Sequence, residues 1–407
     1  MAIQARAKYN NEPRMEPAKA LPLDWLNISL LALVHVVGLG GTAAYVAWGS
    51  PSWAAVVIAV ALTGMTIFSI SAGYHRLFSH RTYEAHPVLR LWLLAFGAGA
   101  FQNTALAWAT DHRRHHARTD GDLDPYAAPR GFWYSHVGWV LRKTDPTIKP
   151  TPVLDLERDP LVRWQKRHYA LIGVCTGVVL PTALGWAFGD PWGGFVLGAA
   201  LRLMVSYHAT FSINSVAHLL GKQPYSDANS SRDSVWTAII SMGEGYHNFH
   251  HTFPSDYRNG VRRHQYDPTK WAIRALSFVG ITKNLRRTPA AKVVRARLKM
   301  DEMRLARQEL PPAALERLAQ IKAALDHALS RWSTAMAQYE ERKREATHQA
   351  REMLRQLAAE IRLWRYETKL AYESWKRALR SPELAMVRSA PRVLREAEPA
   401  ARRRANL

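Results

Sequence analysis

Apolar and polar stretches alternate in a repeated pattern over the first half of the chain. Leu26–Trp48 and Trp53–Tyr74 are long apolar runs separated only by Gly49-Ser50-Pro51-Ser52. Tyr169–Phe188 and Gly193–Val216 repeat the arrangement around Gly189-Asp190-Pro191-Trp192. A helix needs about 20 residues to cross the hydrocarbon of a bilayer, and each run reaches that length. The pattern predicts an all-α fold with four transmembrane helices in two hairpins, over about 26–48, 53–74, 169–188 and 193–216. A soluble four-helix bundle is the alternative, but uncharged runs this long are uncommon in soluble folds. The fourth run carries Arg202 and His208, and ionisable groups inside a span usually face protein or a cavity. Leu89–Trp108 is also apolar, but Gly97, Gly99 and Phe101-Gln102-Asn103 interrupt it. It reads as an interfacial or partly buried segment, not a fifth span.

Neither hairpin turn contains Lys or Arg, whereas the N-terminal tail, the middle segment and everything after the fourth run are rich in both. The positive-inside rule then puts both termini and the middle segment in the cytoplasm. Trp25, Trp48, Trp53, Trp186 and Trp192 lie near the ends of the runs, where an amphipathic indole is favoured. The first 24 residues are polar and show no cleavable signal pattern.

The 407 residues carry a formal net charge of +22. Such an excess suits a polyanionic partner, anionic lipid among them. The single cysteine, Cys175, excludes a disulfide within the chain and any cysteine-built zinc or iron–sulfur site. From about residue 285 onward the chain changes character, with 28 Lys and Arg against 15 Asp and Glu. Beyond Pro311-Pro312, apolar residues recur at three- and four-residue steps: Leu315, Leu318, Ile321, Leu325, Ala328 and Trp332, then Leu354, Leu357, Ile361 and Trp364. This predicts one long amphipathic helix or a helical pair, with a coiled coil among the options. Ser381-Pro382 ends it, and the last 20 or so residues are expected to be disordered. The expected division is a tail (1–24), a membrane domain (25–284) and a basic helical extension (285–407). The extension could pack on the cytoplasmic domain, lie on the membrane surface or bind a partner. It lacks the aromatic interleaving of a nucleic-acid binder, so no nucleic acid is expected.

Histidine is clustered. His75-Arg76-Leu77-Phe78-Ser79-His80 follows the second run, His112-Arg113-Arg114-His115-His116 lies in the middle segment, and His247-Asn248-Phe249-His250-His251 follows the fourth. The last two share the spacing HxxHH. On a helix, positions i, i+3 and i+4 fall on one face, so two or three imidazoles can converge. The i, i+5 pair His75 and His80 is less aligned, and would act through a helix end or reach different metals. His218 ends the fourth run and makes nine histidines, too many for one first-row ion but suited to two. Imidazole alone does not choose among Fe, Zn, Cu and Ni. His35, His86, His136, His168, His208, His264, His327 and His348 read as isolated surface or satisfied core residues.

The pattern HxxxxH, HxxHH, HxxHH between two hairpins resembles the integral-membrane fatty acid desaturases, most nearly the acyl-CoA Δ9 (stearoyl-CoA type) branch in a bacterial-like form. The likeness covers about residues 20 to 285. It includes His75 to Tyr83, Asp111 to His116, Gly243 to Pro254, Ser135-His136-Val137-Gly138-Trp139 and Asn214 to Gly221. It implies two irons held by His75, His80, His112, His115, His116, His218, His247, His250 and His251, with Asn214 holding a metal-bound water. It implies O2 as co-substrate and a cis double bond as product. Arg142 and Lys143 match a basic pair near the CoA phosphates, and Asn103 and Asp111 match polar groups at the CoA end. Gln102, Thr210 and Phe211 match positions around the bend of an acyl tunnel. Two departures stand out: Thr110 where animal members have arginine, and Phe211 where they have tryptophan. The first makes a lipid-linked or carrier-protein-linked acyl group more plausible; the second alters tunnel shape.

The resemblance further implies a multi-pass protein of a bacterial inner membrane, surrounded by membrane lipid, with a cytoplasmic active site. A separate electron donor is expected, such as a ferredoxin or a cytochrome b5-like protein with its reductase, since His-Pro-Gly-Gly is absent. A related di-iron membrane hydroxylase and a histidine-rich metal transporter or sensor are the alternatives. A transporter would place its metal-site residues inside the spans.

Overall fold

A computed structural model describes residues 21–49, 51–145, 151–308, 310–343 and 348–381. The predicted C-terminal disorder and most of the N-terminal tail lie outside these residues. The chain divides into two compact units, one over Asn11–Thr288 and one carrying Pro289 onward.

In the first unit, four helices are long and apolar enough to cross a membrane: α1 (Trp25–Trp48), α2 (Trp53–Ser79), α5 (Tyr169–Ala187) and α6 (Pro191–Leu219). Their outer surfaces are apolar: Val36, Val57, Val60 and Leu171 are all exposed, as lipid-facing residues should be. The two hairpin tips are tied together. Asp190 accepts hydrogen bonds from the Tyr45 hydroxyl, from Ser52 Oγ at 2.7 Å and from the Gly193 amide at 2.8 Å.

Arg202 is buried in α6, with no carboxylate partner among the described residues. It donates to Thr66 Oγ1 at 2.6 Å and to the carbonyls of Gly198 and Gly177 at 2.7 and 2.8 Å. Those carbonyls satisfy a charge that lipid could not.

The interrupted fifth stretch forms α3 (Pro87–Ala98) and the start of α4 (Ala105–Arg118). The break between them holds Phe101 and Asn103 at φ of 51° and 78°, a left-handed conformation that ends the helix. α3 packs tightly on α2: a Cβ added at Gly97 would lie 2.4 Å from the Tyr74 ring. Helix α2 runs past the predicted Tyr74 to Ser79, and its last eleven residues, Ser69–Ser79, are π-helical. Three short helices follow α6: α7 (Val235–Ile240), α8 (His247–Thr252) and α9 (Pro268–Phe278). A two-residue antiparallel pair, β1 (Glu84–Ala85) with β2 (Thr282–Lys283), ties the end of this unit back to its middle.

The second unit contains α10 (Ala290–Leu305), α11 (Pro312–Arg342) and α12 (His348–Ala378). Of the two predicted arrangements, the helical pair is the one formed. Its core includes Leu318, Leu325 and Trp332 from the apolar stripe read from the sequence, together with Leu329 and Trp375, which that stripe did not contain.

Candidate metal centre

The three histidine clusters and His218 fold into two groups. His75, His80, His112, His116 and His250 offer ligand atoms within 4.8 Å of one another, as do His115, His218, His247 and His251. The backbone explains the first group. His75 and His80 lie five apart, which would splay them on an α-helix. The π-helical end of α2 bonds i to i+5, with the His80 amide 3.1 Å from the His75 carbonyl, and this stacks residues five apart. The two rings end 4.9 Å apart, centre to centre.

Each HxxHH box is shared between the groups. On α4, His112 and His116 at i, i+4 serve the first group and His115 the second; on α8, His247 and His251 serve the second and His250 the first. The i, i+4 pair follows one helix face, and the i+3 ring is turned far enough to reach the other group.

Arginines within the boxes lock these helices together. Arg76 donates to Glu244 and Asp267, joining the first box to the third. Arg113 makes a bidentate pair with Asp155, at 2.7 and 2.8 Å, and donates to the carbonyls of Ser79 and Phe78. The ion pairs and hydrogen bonds also bring in two carboxylates given no role from the sequence. Glu244 Oε2 lies 2.7 Å from His75 Nδ1, and both Asp124 oxygens lie 2.9 Å from His115 Nδ1. Each group thus has one imidazole oriented by a buried carboxylate, as metal-binding histidines usually do. Glu244 is fully buried yet its carboxyl is held down at about 2, because Arg76 and His75 outweigh the burial that would raise it. Asp124 stands eight residues beyond the second box with no pattern to announce it. Glu244 stands inside the third.

The nitrogens of the second group cannot all be satisfied by protons. Asp124 fixes the His115 proton on Nδ1. Ser230 gives its proton to Asp120, so His218 Nδ1 donates to Ser230 Oγ, at 2.7 Å. His115 and His218 therefore present lone pairs at Nε2. These face His251 at 3.2 Å and His247 at 3.1 Å, which would each need a proton on Nε2; but those two Nε2 atoms face each other at 3.0 Å. No arrangement of one proton per ring meets every contact. Charging the rings does not help: burial first, and then the neighbouring histidines, push His112, His116, His247, His250 and His251 well below their usual range. Neutral imidazoles with converging lone pairs are a donor set for metal cations, and the residues fit a pair of them.

A cavity of about 670 Å³ shares His75, His112, His115 and His247 with these groups. Asn214, Gln102, Asn103, Asp111, Thr210, Phe211 and Arg142 also line it; Lys143 does not, and Thr144 lines it instead. Gln102 donates to Thr210 across the cavity wall at 3.0 Å. Burial pushes the Asp111 carboxyl up, and Arg114, 2.8 Å away, pulls it partly back. Leu30, Leu31, Val34 and Leu203 give the cavity apolar walls.

His35, His136 and His208, read from the sequence as isolated, form a hydrogen-bonded string. His35 Nε2 lies 3.0 Å from His208 Nε2, and His208 Nδ1 lies 3.0 Å from His136 Nε2. Only folding reveals it, since its members are up to 173 positions apart.

The fatty acid desaturase family model matches residues 51–278. The chain is 44% identical over 239 residues to acyl-CoA desaturase 1 of Saccharomyces cerevisiae, covering 58% of this chain and 47% of that one. It is 41% identical over 268 residues to a probable acyl-CoA desaturase of Schizosaccharomyces pombe, covering 65% and 56%. It thus spans about half the length of these two yeast relatives. With stearoyl-CoA desaturase 5 of Bos taurus it shares 36% identity over 269 residues, 65% of this chain and 79% of that one. The match to more than half the chain, over the segment that carries every histidine of both groups, shows that this protein belongs to the fatty acid desaturase family.

Proposed function

We propose that the chain is an oxygen-dependent fatty acyl desaturase that inserts a cis double bond, at Δ9, into a saturated chain carried as acyl-CoA. The observation that carries this reading is the meeting of the two histidine groups with the apolar-walled cavity. The names of these relatives support the acyl-CoA carrier and, for the bovine protein, a stearoyl chain.

In this proposal the nine histidines hold two iron ions, and Asn214 acts through a water. When bound, the irons supply the redox chemistry needed to break unactivated C–H bonds with O2, which no side chain can do. The chain's own residues do the rest. Glu244 and Asp124 hold protons on Nδ1 of His75 and His115, so their Nε2 lone pairs point inward. Leu30, Leu31, Val34 and Leu203 exclude water from the acyl chain. Gln102, Thr210 and Phe211 shape the bend that selects the reacting carbons. Arg142, with Lys143 beside it, faces the phosphates of the carrier, while Asn103 and Asp111 contact its polar end. Two electrons come from a separate donor such as a ferredoxin or a cytochrome b5-like protein. Both termini and the site lie on the cytoplasmic side, and the location proposed is a bacterial inner membrane, although the relatives named above are fungal and mammalian.

Lipid profiling after expression in a host unable to make unsaturated fatty acids tests the reading. A new Δ9 cis double bond in acyl-CoA-derived lipids is expected. A hydroxylated product would move the chain to the related hydroxylases, and unsaturation confined to intact membrane lipid would reject the CoA carrier, at the end of the substrate where Thr110 departs from the family pattern.

A further inference from the structure

The second unit holds a cavity of about 490 Å³ that the desaturase reading does not use. Val294, Trp332, Tyr366 and Tyr372 give it apolar and aromatic walls, and Arg362, Arg365, Thr368 and Lys369 complete it. No carboxylate lines it among the described residues. Arg362, Arg365 and Lys369 follow one another at three- and four-residue steps on α12, so like charges share a face. Glu373, one turn beyond Lys369, is engaged by Lys376 at 2.6 Å, and that bond chiefly holds its carboxyl below the usual range.

Two further donors are orphaned in the wall. Thr368 and Trp332 are 2% and 8% exposed, and neither Thr368 Oγ1 nor Trp332 Nε1 has a hydrogen-bond partner among the described residues. An indole N–H can only donate, and a buried donor left unmade destabilises the fold. Three cations and two orphaned groups around an apolar hollow call for an acceptor-rich anion with an apolar body. The unit is tethered directly, at Pro289, to the unit that carries the membrane-spanning helices. Clusters of Lys and Arg on an amphipathic helix attract anionic lipid.

We infer that this cavity binds the head group of an anionic phospholipid, its phosphate against Arg362, Arg365 and Lys369 and its glycerol ester oxygens against Trp332 and Thr368. The site is independent of the metal centre.

The test uses the full chain in nanodiscs of phosphatidylcholine alone or with phosphatidylglycerol, and follows amide hydrogen exchange over residues 362–372. Phosphatidylglycerol is expected to slow exchange about tenfold, as a ligand near ten times its Kd would, and to do so less than about twofold in R362A/R365A/K369A. The charge-matched variant K299A/R317A/K343A keeps the effect. Thr368→Val separates binding from folding: removing the orphaned hydroxyl leaves exchange in phosphatidylcholine unchanged or slower, but reduces the gain from phosphatidylglycerol. Equal exchange in both membranes overturns the inference, as does equal loss in the charge-matched variant. Protection by inorganic phosphate or glycerol phosphate in phosphatidylcholine discs overturns the lipid assignment in favour of a free phosphate. Desaturation is expected to be unchanged in all these variants, so failure here leaves the functional reading standing.

Discussion

Two sets of histidines in this protein make the same close nitrogen contacts and behave differently. In the string, one proton per ring satisfies every ring nitrogen once the Ser215 hydroxyl turns to His136 from the Phe211 carbonyl, 3.0 Å away, which keeps the bond from the Ser215 amide. His35 Nδ1 donates to the Leu31 carbonyl at 2.7 Å, His208 Nε2 donates to His35, His136 Nε2 donates to His208, and Ser215 Oγ donates to His136 Nδ1 at 2.9 Å. In the second histidine group no such assignment exists. The string is a line, in which His208 uses both nitrogens on different neighbours. The nine-histidine set converges, and buried carboxylates turn its lone pairs inward. A close pair of imidazoles is therefore not a metal site. Convergence with frustrated protons is. The contrast also bears on the transporter alternative, since the histidines most deeply placed in the spans, His35 and His208, are the ones that need no ion.

The largest effect that would sharpen the contrast is at a ring shared by the convergence. His247→Ala leaves the second group with three rings, and metal analysis is expected to find that site empty and product formation undetectable. Asp124→Asn comes next. The amide keeps the shape but no longer holds the proton on His115 Nδ1, and loss of such a partner typically costs about 10- to 100-fold in metal affinity or activity. Metal titration measures it. Glu244→Gln acts similarly but also strips charge from the buried pair with Arg76. Breaking such a pair costs about 3–5 kcal/mol, so its thermal midpoint falls well below that of Asp124→Asn.

The third effect depends on pH. His112, His116, His247, His250 and His251 titrate below their ordinary 6.5 when folded. As pH falls through 6.5, the unfolded chain takes up protons that the folded chain refuses, so the metal-free protein loses stability. Its thermal midpoint is expected to drop steadily between about pH 7 and 5.5, and the metal-loaded protein's to drop less until the metal leaves. Equal slopes would mean the rings are not held neutral by their surroundings. The smallest effect is in the string. His208→Gln keeps hydrogen-bonding capacity, should leave metal content unchanged, and should cost about 1 kcal/mol of stability for an imperfectly replaced bond. Loss of metal in that variant would break the comparison.

The hairpins and the three boxes were legible because each is a local pattern: run length for a span, spacing for a helix face. The tail's helical pair was legible as two stripes, Leu315 to Trp332 and Leu354 to Trp364, though whether they belong to one helix or two was not. The π-helical end of α2 was hidden, because nothing in Ser69–Ser79 distinguishes i+5 from i+4 bonding before packing is known. The division of each HxxHH box between two centres was hidden for a related reason. Spacing says which rings share a face, not how many centres that face meets. Asp124 and the His35–His208–His136 string carry no sequence signal, since single residues gain meaning only from partners far along the chain.

The measurement that bears most directly on the central claim is metal content of purified protein, determined for wild type, His250→Ala, His247→Ala and His208→Gln. Two irons per chain in wild type and in His208→Gln, with loss in both other variants, is the predicted result. A single metal, a metal other than iron, or loss in His208→Gln as deep as in His247→Ala would contradict it.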